Sequence, residues 1–245
     1  MFIFLRLLLA HFLGDFPLQF DFIFKLKPQG WKGIIPHVLI IVFCCIVLSW
    51  PYLHLPQMWF FIILIGSTHL IQDSIKISYG TLHHSFWTYL ADQLFHVGLI
   101  ALVFLTDLSQ LSAPKDSGNF LIALYSNDTV VIYLIFLILA TYNGYFLIRC
   151  FKDTFLGSSS APLFEKWYGM LERAIIVSCF LIQEFFILLI PIALLLRPIV
   201  FIFLKERKSL HKSFIFSVDT VLSWLIALIT GFTMSYLLQA KHSIY

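Results

Sequence analysis

Apolar runs about as long as a hydrocarbon core is thick recur from one end of this chain to the other, and few folds tolerate that. A helix needs about 20 mostly apolar residues to cross a bilayer. Backbone polar groups in lipid must be satisfied internally, which leaves helices and closed barrels. A barrel would show segments of about ten residues alternating in polarity, and these runs do not alternate. The residues are 60% hydrophobic and 12% charged, with 27 Phe among 245, whereas a soluble domain is nearer a quarter charged. The expected fold is therefore all-α, a polytopic transmembrane helical bundle of about seven or eight segments, in a single integral membrane domain over 1–245.

The segments are expected at about 1–19, 34–49, 57–77, 85–106, 129–150 and 213–239. A long apolar stretch at 170–204 is interrupted by Pro191 and Pro198. Residues 1–106 carry the polar motifs and 129–239 the C-terminal helices. The first segment lacks a basic leader, and His11, Asp15 and Pro17 stand where a cleavage site would be needed. It reads as a retained span. The net charge of +3 comes from Lys and Arg placed mainly in short loops, which reports orientation and not nucleic-acid binding. With the loop after the first segment on the cytoplasmic side, the acidic loop 107–128 falls outside. The basic loop 205–212 is cytoplasmic only if 170–204 crosses twice, which favours eight crossings. Cys44, Cys45, Cys150 and Cys179 have no metal-ligand spacing and read as packing residues.

Within these runs, His and Asp recur four positions apart: His11/Asp15, His69/Asp73 and Asp92/His96. Four residues is about one helical turn, so each pair shares a face. Ionisable groups at membrane depth are costly and mark functional sites. On the orientation above, all six lie in the cytoplasmic half of the membrane, and His37, an accessory candidate together with Gln19, comes to the same side. Imidazole with carboxylate favours Zn²⁺, Mn²⁺ or Fe²⁺, with bound water as a nucleophile. The six residues are expected to be ligands or water-activating groups. A proton or cation path through the same groups, in a transporter or channel, and a scaffold of helix-to-helix hydrogen bonds are the alternatives.

Gln19 shares the face of Asp15. Gln72 and Gln93 are expected to point elsewhere on their helices. Lys76, three residues after Asp73, could pair with it but is expected to be an ordinary boundary lysine, and His83 and His84 are expected to be solvated; His54 has no role. In the second half, Glu172 and Arg173 are accessory candidates, and Glu184 is expected to face the interior. Asn143, Arg197 and Asp219 could line a polar interior.

The motif His11-Phe-Leu-Gly-Asp15-Phe-Pro-Leu-Gln19, followed by His69-x3-Asp73 and Asp92-Gln93-x2-His96, resembles DUF3307, a bacterial membrane family of unknown function. Tyr168-Gly-Met-Leu-Glu-Arg173 looks like the family's G-x-LER element, so the resemblance extends over nearly the whole chain. It implies a multi-pass protein of the bacterial inner membrane but no established activity. A fainter likeness to membrane-bound metal-dependent hydrolases suggests hydrolysis.

Overall fold

A computed structural model describes residues 1–78, 85–114, 118–157, 163–182, 189–208 and 217–242. Among them the structure is all-α, without strands. The helices are α1 (Phe2–Asp15), α2 (Asp21–Leu26), α3 (Trp31–Leu48), α4 (Pro56–Ser78), α5 (Phe86–Ala101), α6 (Phe120–Ser126), α7 (Asp128–Ile138), α8 (Gly144–Phe155), α9 (Leu163–Ile182), α10 (Leu189–Lys208) and α11 (Val218–His242). A π-helical turn, Leu139–Asn143, joins α7 to α8. The chain divides into two compact units, Met1–Ile135 and Phe136–Tyr245.

Prolines set several boundaries. α1 ends two residues before Pro17, and Pro56 opens α4, where its missing N–H costs nothing. The apolar stretch 170–204 is shared between α9 and α10. Pro191 is the third residue of α10, in the first turn, where the N–H has no intrahelical acceptor to lose. α10 continues through both Pro191 and Pro198, so neither residue ends a helix as expected.

Five stretches among the described residues are long and apolar enough to cross a membrane: Trp31–Leu48, Pro56–Ser78, Phe86–Leu105, Asp128–Phe155 and Val218–Lys241. α1 has 14 residues, about 21 Å of helix. Four charged residues in α9 (Glu165, Lys166, Glu172, Arg173) lower its apolarity.

In the first unit α1 packs on α3 and α5, and α4 packs on α3 and α5. The four helices thus close a ring. α1 is apolar almost all round, and every residue from Leu5 to Phe12 is buried. A helix hydrophobic on all sides belongs inside a bundle. Two glycines let helices approach α3. A Cβ at Gly14 would lie 2.7 Å from Ile41 Cγ1, and one at Gly66 would lie 2.7 Å from Val42 Cγ2. The outer faces of the other helices are apolar and open, with Leu39, Phe43, Phe60, Ile63, Trp87 and Leu94 exposed. Such a surface suits lipid tails and not water.

In the second unit α9 packs mainly on α11, with further contacts to the π-helical turn, α8 and α10. Gly231 of α11 faces the Phe180 ring of α9. Phe180 and Phe232 meet edge to face at 4.7 Å between centroids.

Candidate metal centre

The ring of helices in the first unit turns polar groups inward. α1 presents His11 and Asp15, α3 presents His37, α4 presents His69 and Asp73, and α5 presents Asp92 and His96. All four imidazoles are at most 1% exposed. Each i, i+4 pair shares a face as its spacing requires.

The tightest grouping joins three helices. His37 Nε2 lies 3.0 Å from His69 Nε2. Asp15 Oδ1 lies 3.3 Å from His37 Nε2 and 3.5 Å from His69 Nε2. Ligands about 2.1 Å from one ion at tetrahedral angles stand about 3.4 Å apart, so these three atoms have the edges of a coordination face. Asp73 Oδ2 lies 3.8 Å from each Nε2. A second grouping, His11, His69 and His96, brings one ligand atom of each residue within 4.8 Å of the others. His69 belongs to both. Its ring stacks on His96 at 4.5 Å, and His11 lies 4.7 Å from His96.

Charge separates the three carboxylates. Lys27 Nζ lies 2.8 Å from Asp73. Lys76 lies 2.7 Å from Asp92 and 3.2 Å from Asp73. No lysine or arginine among the described residues pairs with Asp15; Gln93 donates to its Oδ2 at 3.2 Å. With neutral imidazoles, three carboxylates face two ammonium groups, so the site is short of one positive charge. Both ring nitrogens of His11, Nδ1 of His69 and Nε2 of His96 are buried without a hydrogen-bond partner. Leaving such atoms unpaired costs about 1–3 kcal/mol each.

Several side chains differ from expectation. Gln93 bridges Asp15 and Asp92, at 3.2 Å from each, instead of pointing away. Lys76 is an ion-pair partner and not a plain boundary lysine. His37, an accessory candidate from sequence, sits at the centre of the tightest group. Gln19 donates to the Asp15 carbonyl at 2.9 Å and accepts from Lys27 when its amide is oriented by these neighbours. His54 bonds only near its own turn, 3.1 Å from the Pro51 carbonyl. The other accessory candidates, Glu172 and Arg173, belong to the C-terminal unit and to a cluster of their own there. Asp219 pairs with Lys152 and Arg197 with Glu172. The four cysteines are free and buried. His83, His84 and Glu184 lie outside the described residues.

Residues 3–116 match the family model described as Protein of unknown function (DUF3307). The resemblance carried by the His/Asp motifs is thus shown for the part of the chain that builds the ring of helices. The Tyr168–Arg173 element lies beyond the DUF3307 match. No curated protein and no solved structure matches the chain.

Proposed function

We propose that the chain is a multi-pass protein of the bacterial inner membrane, crossing seven or eight times, with a divalent metal centre in the cytoplasmic half. The observation that carries the reading is Asp15. A carboxylate without a lysine faces two imidazole nitrogens at ligand-to-ligand spacing. A single proton points along one edge of that triangle, whereas a cation at its centre satisfies all three lone pairs. His/Asp donors suit Zn²⁺, Mn²⁺ or Fe²⁺. Three protein ligands leave a fourth position for water, the arrangement of catalytic and not structural sites.

The role we assign the site is hydrolysis of a small-molecule or lipid substrate, the metal supplying a water acidic enough to act as nucleophile near neutral pH. Asp15, His37 and His69 would hold the ion. Asp73 and Asp92, tied to Lys27 and Lys76, would accept or return a proton. His11 and His96 would provide an alternative ligand face through His69.

Metal analysis after purification without chelators tests this. The expected result is about one equivalent of Zn, Mn or Fe, lost in His69→Ala because both groupings share that ring. Protein that carries no metal even after growth in metal-supplemented medium would reject the reading.

One observation favours a second reading. The imidazoles form a contiguous series, His37–His69–His96–His11, with centroids 4.9, 4.5 and 4.7 Å apart. Such a series suits a proton path in a transporter or channel. Proteoliposomes under a pH gradient discriminate: proton flux abolished by Asp15→Asn favours transport, and flux-free vesicles that retain the metal favour the metal centre.

A further inference from the structure

The C-terminal unit contains a second buried polar cluster, of opposite sign. Glu172 on α9 receives a forked pair from Arg197 on α10: Nη2 donates at 2.8 Å, and Nε at 2.8 and 3.0 Å. Trp224 Nε1 adds a donor at 3.2 Å. That carboxylate is therefore neutralised. Arg173 is the next residue along α9 and is 2% exposed. Its partners are neutral. Nε donates to the Ala140 carbonyl, Nη2 to the Thr141 carbonyl at 3.1 Å, and Nη1 to Ser223 Oγ at 2.8 Å. Both carbonyls belong to the π-helical turn, an element that recurs at functional sites. No carboxylate among the described residues stands at ion-pair distance from Arg173.

A small, half-open pocket lies beside this guanidinium. Its wall carries five cations, Arg149, Lys152, Lys166, Arg173 and Arg197, against two carboxylates, Glu165 and Asp219. Lys152 is paired with Asp219 at 2.7 Å. Arg149 stands 3.9 Å from Asp153, and its side chain is 39% exposed. Lys166 lies over the Tyr145 ring at 4.8 Å. With Glu172 and Asp153 counted as well, the cluster still holds one positive charge in excess. Gly169 keeps the wall open: a Cβ there would lie 3.3 Å from Arg173 Nη1 and 3.8 Å from Arg197 Nη2.

A buried charge without a counter-ion is strongly unfavourable, and the geometry points to an anion-binding site that takes a phosphate group between Arg173 and the pocket-mouth residues Arg149 and Lys166. Guanidinium forks match phosphate oxygens in pairs, and ammonium groups add point charge. The phosphate could be carried by a soluble compound or by an anionic lipid headgroup. This assignment is independent of the metal centre, because it uses residues of the C-terminal unit alone.

The test uses the full chain in maltoside micelles washed free of phospholipid. Inorganic phosphate is titrated against chloride at equal ionic strength. In a second arm, phosphatidylglycerol is doped into the micelles. The expected result is a saturable rise in Tm of about 2–6 °C. A response to inorganic phosphate identifies a soluble source, and a response to phosphatidylglycerol alone identifies a headgroup. The double variant Arg149→Gln/Lys166→Gln, altered at the pocket mouth, should weaken half-saturation at least about fivefold. Arg173→Gln should abolish the response, and if that variant does not fold the double variant decides alone. Absence of a response in both arms, or a response unchanged in the double variant, overturns the proposal.

Discussion

Arg6 and Asp15 stand near opposite ends of α1 and meet opposite fates. Arg6 is fully buried. It pairs with Asp128, donates to the carbonyls of Phe2 and Tyr125, and lies over the Phe2 ring at 3.5 Å. Breaking a buried pair by removing one partner leaves the other charge uncompensated, at about 3–5 kcal/mol. Arg6→Met should therefore lower the Tm of the purified protein sharply, with metal content per folded molecule unchanged. Asp15 has imidazoles and an amide as neighbours and, among the described residues, no ammonium at ion-pair distance. Asp15→Asn keeps its volume and removes its charge. Metal occupancy should fall at least about tenfold, as for loss of a ligand, while the Tm of the metal-free protein holds or rises. Elemental analysis beside a melting curve separates the two effects, and a Tm loss with metal retained would make Asp15 a structural group. The His/Asp pairs were legible in the sequence because four-residue spacing is local. The places of His37 and Lys27, the reach of Lys76 to Asp92 and that of Gln93 to Asp15 were not, because those partners sit on other helices and spacing along one helix carries no information about them.

At the scale of elements, the position of α1 decides the site. It is the shortest helix of the ring and the most enclosed, so its polar end projects into the interior and not toward lipid. Its approach to α3 depends on Gly14, where a Cβ would meet Ile41 Cα at 2.9 Å. Backbone cannot yield as a flexible side chain can. Gly14→Ala should push α1 from α3 at a cost of about 1–3 kcal/mol. Because Asp15 follows Gly14 and His37 lies on α3, metal affinity should fall with stability. Calorimetry and metal titration on the same preparation check this, and unchanged affinity in a destabilised variant would separate packing from the site. The π-helical turn was not legible: Leu139–Asn143 reads as ordinary apolar helix, and only its partner Arg173 gives its carbonyls a purpose.

For the whole molecule, the apolar outer faces of α3, α4 and α5 suit lipid. The charge pattern of the loops predicts a direction. Lys25, Lys27 and Lys32 precede or open α3, and the loop after α5 is acidic. In a cysteine-free background, Gln110→Cys should react with a membrane-impermeant maleimide on intact cells. Lys25→Cys should react only after the cells are opened. The reverse pattern would place the His/Asp centre toward the outside.

The amino-acid sequence by itself determined that this protein is helical, that its helices are apolar enough to cross a membrane, and which turns pair an imidazole with a carboxylate. Each of those follows from composition or from spacing within one element. Only the tertiary structure decided which carboxylate keeps an unneutralised charge and which imidazoles share it. That choice rests on distances of 3–4 Å between helices far apart in sequence, and a cross-helix distance exists only once Gly14 and Gly66 have let α1 and α4 close on α3.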